Sequence, residues 1–246
     1  RKKGLLATVG LLMMANFLVK IFGLLREVIL AKYYGVTIYT DAYIIANNIP
    51  TVLFAAIGTA LSTVFVPMYS KVRQEEGEQK ANTFTLHLLV VICVVCIAAI
   101  GIGELFTKQI VIMFASGFKG ETLEITISFA RILFPSVLGI ALMNIFGSYL
   151  QAHGKFVPFV MVPIVGNLTI IISMFISAAF EDIYILVWGT LGGLLAQIVF
   201  YVPWVWISGI FNGKWKGILS DKYLLQLLPL VLPVFLGEAV NEINTI

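Results

Sequence analysis

Residues 157–180 and 183–211 contain no charged side chain, and apolar runs of that length leave a chain few ways to fold. About 20 consecutive apolar residues cross the hydrocarbon layer of a bilayer as a helix, whereas a membrane β-strand alternates apolar and polar residues over about ten. The runs here do not alternate, which excludes a β-barrel. Hydrophobic residues make up 60% of the chain and charged residues 12%, against about 25% charged in a soluble domain. The fold class is therefore an all-α polytopic membrane protein. At about 20 residues per crossing plus short loops, 246 residues allow roughly seven spans.

Short polar segments divide the sequence into helices at about Gly4–Tyr34, Asp41–Tyr69, Asn82–Val111, Leu123–Gln151, Val157–Phe180 and Ile183–Phe211, with a seventh beginning near Tyr223. Arg1 is not a methionine, and the apolar text is still running at Ile246, which reads as a fragment. The expected organisation is a six-helix transmembrane lobe over residues 1–212, then a cytoplasmic linker and the start of a seventh helix over 213–246. The basic amino terminus precedes an apolar stretch but no mature soluble domain follows, so it reads as a retained first helix rather than a leader.

Cytoplasmic loops hold an excess of Lys and Arg. With the amino terminus inside, the inner segments carry Arg1, Lys2, Lys3, Lys71, Arg73, Lys80, Lys155, Lys214, Lys216 and Lys222, and the outer ones Lys32, Lys108 and Lys119. Ten against three orients the first six spans as three hairpins with both ends inside. Pro50, Pro67, Pro135, Pro158, Pro163, Pro203, Pro229 and Pro233 interrupt spans. Each removes a backbone donor and is expected to bend its helix, either as part of a moving lobe or as an ordinary membrane-helix kink. The glycines of helix 6, Gly189, Gly192 and Gly193, suit close helix packing.

Lys20, Arg26 and Arg131 are the basic residues left at membrane depth. Met13, Asn16, Lys20, Gly23 and Glu27 recur at steps of three and four, forming one polar or small-residue stripe that should face protein or water. Counted from Leu5, Lys20 lies about 22 Å along the helix, inside a hydrocarbon core of about 30 Å. A charge at mid-helix costs about 2.5–3.5 kcal/mol on insertion scales. A cavity-lining role is expected to offset that cost, with snorkelling or an internal pair with Glu27 as the alternative. Arg26, about 31 Å along by the same count, suits snorkelling as well as function. Asp41 suits the positive end of a helix dipole as well as a site, and Arg131 suits snorkelling as well as a cavity. Asn47 and Asn48, just before Pro50, can bond a kinked backbone or a ligand. Glu238 and Glu242 flank Asn241 on one side of an apolar helix. They are candidates for proton or cation coupling, or for pairing with other groups.

Other chemistries find little support. His87 and His153 are isolated, and neither a zinc-protease helix nor a nucleophile elbow is present. No catalytic residue, metal site or cofactor is expected; dependence on membrane potential, Na+ or H+ stays open. Cys93 and Cys96 lie in an apolar run and read as small packing residues. Basic residues are scattered among loops, so no nucleic-acid partner is expected. Asn167-Leu168-Thr169 matches a glycosylation triplet but falls inside helix 5.

The runs VKIFGLLREVILAKYYG and TDAYIIANNIP resemble the opening of the MurJ (MviN) family, the lipid II flippases of bacterial peptidoglycan synthesis. LSTVFVPMYSK, ARILFP and LQAHGKFVPFVMVPIVGN fit the same pattern, with most of the specificity in the first fifty to seventy residues. The resemblance implies a fold of the MOP superfamily, two six-helix lobes facing a central cavity, of which this chain supplies the amino-terminal lobe. It places Lys20 and Arg26 on functional basic positions of helix 1 and Asp41 on the helix 2 acid. With Asn16 and Asn48, these form the expected pyrophosphate-binding wall. Asn48 and Phe54 stand where many relatives carry a lysine and an arginine, so the basic cluster is thinner here. The implied substrate is lipid II or a related undecaprenyl-pyrophosphate saccharide, moved by alternating access across the bacterial cytoplasmic membrane. Membrane lipids and cell-wall synthesis enzymes are the implied partners. Two rivals are a flippase for another polyprenyl-linked saccharide and a non-transporting scaffold of cell-wall synthesis.

Overall fold

The computed structural model describes residues 2–227 and 229–231, and the side chains of residues 10, 12–54, 58–218, 220–227 and 229–231. The predicted sites Glu238, Asn241 and Glu242, with most of the predicted seventh helix, lie outside the described residues. Helices follow the apolar runs: α1 (Lys2–Tyr34), α2 (Ile38–Glu76), α3 (Glu78–Leu105), α4 (Thr107–Phe114), α5 (Gly120–Leu133), α6 (Ser136–Ala152), α7 (Phe156–Phe180) and α8 (Ile183–Ile207). A short apolar helix, α9, follows at Lys222–Val231. By length and composition α2, α3, α7 and α8 can each cross a membrane, and so can the bent pair α5–α6 taken as one span.

Several expected boundaries move, each for a local reason. The third expected helix divides at Phe106, the residue between α3 and α4. The Thr107 hydroxyl there donates to the Gly103 and Glu104 carbonyls, holding the chain end where the ladder changes course. The fourth divides at Phe134–Pro135 into α5 and α6, which are inclined by 41°, because proline cannot supply the N–H that would continue the ladder. Pro50, Pro67, Pro163 and Pro203 instead sit inside unbroken helices. Pro158 lies in the first turn of α7, where its missing N–H has no intrahelical partner to lose. The expected loop after Tyr69 is helical to Glu76; the reversal is made at Gly77, whose φ of 86° is open to glycine and strained for other residues. Helix α8 ends at Ile207 rather than Phe211, and residues 210–212 form a single 3-10 turn.

Two apolar cores lie at opposite ends of the bundle. One joins the second half of α2 to α3, α6 and the end of α8 through Phe65, Tyr69, Phe84, Ile145 and Tyr149. Tyr223, Leu224 and Leu227 bury into it, so α9 begins packed on the bundle. The other joins the end of α1 and start of α2 to α5, α7 and the start of α8 through Tyr43, Ile49, Phe129, Met174 and Leu186. Between these cores lie Thr51 and Thr59 of α2 and Thr190 and Gln197 of α8, polar side chains in an otherwise apolar bundle. Cys93 is half-buried and Cys96 buried, both free thiols.

Candidate functional site

Two clefts open between the apolar cores, each of about 360 Å³. They share Ile140 and Asn144 of α6 and Leu194 of α8. The first carries Asn16 of α1 with Gln197 and Tyr201 of α8; the second carries Asn47, Thr51 and Thr59 of α2, Ser136 and Thr190. The spacing explains the convergence. Ser136, Ile140 and Asn144 are four apart on α6, and Thr190, Leu194, Gln197 and Tyr201 follow steps of four, three and four on α8, so each set shares a helical face.

Glycines make room for the amides. A Cβ on Gly58 would come within 2.5 Å of Asn144 Nδ2, and one on Gly166 within 2.1 Å of Gln197 Nε2. Asn144 therefore lies over bare α2 backbone, where Ser62 Oγ donates to its Oδ1 at 3.4 Å and its Nδ2 donates to the Ile140 carbonyl at 2.9 Å. Gln197 Nε2 donates to the Gly193 carbonyl at 3.3 Å. Above them the Tyr43 and Thr190 hydroxyls bond at 2.9 Å, tying α2 to α8.

The predicted site residues divide. Asn16 lines the first cleft, its amide donating to the Leu12 carbonyl at 2.9 Å. Arg26 is half-buried: Nη1 donates to Asn167 Oδ1 at 3.3 Å and Nη2 to Glu27 Oε1 at 2.6 Å. Glu27 thus neutralises Arg26, and Lys20 has no ion pair among the described residues. Lys20 is exposed, one turn from Asn16 and one from Gly23, which itself faces Asn167 of α7. Asp41 is exposed in the first turn of α2, after the Thr37 cap, the position its dipole reading required. Asn48 is exposed while Asn47, one residue earlier, lines the second cleft. Arg131 approaches Glu104 at 4.0 Å on the exposed surface.

Asn144, Gln197 and Thr190 are site residues that charge-based reading of the sequence misses. Their signal is present: each is a polar residue recurring at helical spacing in an otherwise apolar run. Asn167, which resembled a glycosylation triplet, is the partner of Arg26.

A sequence model described as "Lipid II flippase MurJ" matches residues 30–246. This chain belongs to the MurJ family. The match begins after Lys20 and Arg26 and includes Asp41 and Asn48. A lipid II flippase MurJ of Thermosipho africanus is 31% identical over 210 residues, 85% of this chain and 40% of the relative. A probable lipid II flippase MurJ of Buchnera aphidicola is 28% identical over 236 residues, 92% of this chain and 45% of the relative. The chain thus spans less than half the length of these curated relatives. Among solved structures, a lipid II flippase MurJ in an inward closed conformation superposes with a TM-score of 0.79 at 31% identity, over 96% of this chain and 49% of that one. An outward-facing MATE transporter of the MOP superfamily superposes at 0.72 with 16% identity, over 94% and 51%; that likeness concerns the fold alone. The MurJ-family chain is an integral, polytopic membrane protein.

Proposed function

We propose that this chain is the amino-terminal lobe of a lipid II flippase and that its paired clefts form one wall of the translocation cavity. The observation that carries the reading is the set of polar side chains held between two apolar cores in a chain of the MurJ family. A lipid-linked disaccharide pyrophosphate carries two or more negative charges, which a low-dielectric layer repels. A hydrated cleft with fixed cations lowers that barrier. Lys20, one turn from cleft-lining Asn16, supplies a cation without an ion pair among the described residues, and Arg26 a guanidinium shared with Glu27. Asn16 and Asn47 supply hydrogen bonds within the clefts with Asn48 one beside them, and Asp41 a counter-charge that keeps the anion moving rather than trapped. The half-buried Arg26, held by Asn167 and Glu27, is pre-positioned, and the exposed Lys20 is free to reach the head group.

We place the amino terminus of the lobe in the cytoplasm, the orientation that the distribution of Lys and Arg favours. It rocks against a second lobe supplied by the rest of the protein, while the polyprenyl tail stays in lipid. Glu238, Asn241 and Glu242 are the proposed ion-coupling groups. The test is complementation: the full-length protein, expressed in bacteria depleted of their own lipid II flippase, restores growth. Failure by a well-expressed, correctly inserted protein overturns the proposal, and rescue of a strain lacking a different polyprenyl-saccharide flippase instead redirects it to that substrate.

A further inference from the structure

At the bundle end that gathers Gly77, Lys155 and the segment after α8, a third cavity of about 380 Å³ is lined by Lys80 and His87 of α3 and by Lys214 and Lys216 beyond α8. It is separate from the paired clefts and shares no lining residue with them.

The segment that closes this cavity is fastened in place. Asn82 Nδ2 donates to the Gly209 carbonyl at 2.9 Å, while Asn82 Oδ1 accepts from the Tyr69 and Tyr149 hydroxyls, each at 3.0 Å. Tyr149 also contacts the Ser208 carbonyl at 2.8 Å, Lys155 Nζ donates to Ser208 Oγ at 2.8 Å, and the Lys214 N–H donates to Thr83 Oγ1 at 2.9 Å. Gly213 lies directly on α3: a Cβ there would meet Thr83 N at 2.6 Å. These bonds fix the Lys214 backbone against α3; the Lys214 and Lys216 side chains are exposed at the cavity, which half-buried Lys80 also lines.

The charges inside do not cancel. Two carboxylates line the cavity, and both are engaged. Asp221 accepts from His87 Nδ1 at 2.8 Å and from the Tyr223 N–H at 3.0 Å. Glu76 pairs with Lys222 Nζ at 2.5 Å and accepts from the Tyr223 hydroxyl at 2.7 Å. Lys80, Lys214 and Lys216 have no ion pair among the described residues. The His87 side chain is 3% exposed, and its Nε2 is buried without a hydrogen-bond partner among the described residues. With Nδ1 donating to Asp221, Nε2 is the acceptor nitrogen of the ring, and native structures rarely leave such an atom unsatisfied. It calls for a donor, either an ordered water or a hydroxyl carried by the ligand.

We propose that this cavity is a phosphoryl-binding site, in which Lys80, Lys214 and Lys216 hold the phosphate of a lipid head group or a free phosphate ion. Three ammonium groups match a phosphate's charge as point cations, and the volume lies within the range of small-ligand sites. The anion completes the fastening of the post-α8 segment to α3. This site is independent of transport, so its test does not depend on the flippase reading.

Hydrogen–deuterium exchange of residues 213–222, with the protein in nanodiscs, reads occupancy directly. Two arms are compared with pure phosphatidylcholine: phosphatidylcholine with one lipid in five replaced by phosphatidylglycerol, and phosphatidylcholine with added inorganic phosphate. At a ligand concentration about twice Kd, exchange through opening of the unliganded form slows about threefold. Slowing in the first arm alone identifies a lipid head group, and slowing with phosphate identifies a free ion; either supports the site. The Lys214→Gln/Lys216→Gln double variant and Lys80→Gln each remove the slowing, while Lys71→Gln/Arg73→Gln, basic residues of the same end outside the cavity, keep it. No slowing in either arm, slowing that survives in the cavity variants, or slowing lost equally in the Lys71/Arg73 variant overturns the proposal.

Discussion

Lys20 and Arg26 stand four and ten residues beyond Asn16 on α1, yet the structure treats them differently. Arg26 has partners on both sides; Lys20 has none among the described residues. Lys20→Ala and Arg26→Ala are each expected to abolish complementation by the full-length protein without lowering its amount in the membrane, measured by growth alongside immunoblotting. Normal growth of both variants removes the role given to these cations. Asn144 is expected to matter through shape as well as polarity. Asn144→Leu puts an apolar group where both clefts meet and should impair complementation while the protein still inserts. Gly58→Ala drives a Cβ toward the Asn144 amide and is expected to cost about 1–3 kcal/mol through overpacking, seen as a lower thermal midpoint in detergent. The charges were legible in the sequence because charge in an apolar run is conspicuous. The Arg26–Asn167 contact was not, since the two residues are 141 apart and only the packing of α1 on α7 brings them together.

At the scale of elements, long apolar runs announced the helices, and the tests lie at their junctions. The break between α5 and α6 falls at a proline, which sequence marks. The break between α3 and α4 falls at Phe106, which composition does not mark, and the hydroxyl that holds it belongs to an ordinary threonine. The extension of α2 to Glu76 was equally hidden: residues 71–76, four of them charged, read as loop, yet they continue the helix, bury Val72 in the core and leave the turn to Gly77. The polar knot of Tyr69, Asn82 and Tyr149 at this end is buried; removing its centre leaves the Gly209 carbonyl without its Asn82 donor, while Tyr69 keeps His153 Nε2 and Tyr149 keeps the Ser208 carbonyl. Asn82→Ala is expected to destabilise by about 1–3 kcal/mol per group left unsatisfied, read as a lower unfolding midpoint; an unchanged midpoint contradicts the fastening role. Glu76 beside it holds the Lys222 ammonium above the usual lysine range. A raised lysine contributes its stability fully below its ordinary value of about 10.5 and loses it as pH rises through the folded value. Exchange protection at the start of α9 should therefore be flat across neutral pH and fall only in alkali.

For the whole molecule, hydropathy was enough to give a polytopic helical bundle, and the motif runs were enough to give the family. Neither could place the clefts, because they arise from a tertiary arrangement: two apolar cores at opposite ends, with Asn47 of α2, Asn144 of α6 and Gln197 of α8 meeting between them. Asn48 illustrates the limit, since its neighbour Asn47, one helical step away, is the residue that faces the cleft. The orientation is checked by cysteine labelling from outside intact cells in a cysteine-free background: Lys119→Cys should react with an impermeant reagent and Lys155→Cys should not. The account stands most directly on one measurement, the appearance of lipid II at the outer leaflet of cells depleted of their own flippase and expressing the full-length protein. The prediction is that wild type restores externalised lipid II and Lys20→Ala and Arg26→Ala do not. A correctly inserted wild-type protein that leaves lipid II in the inner leaflet contradicts the account.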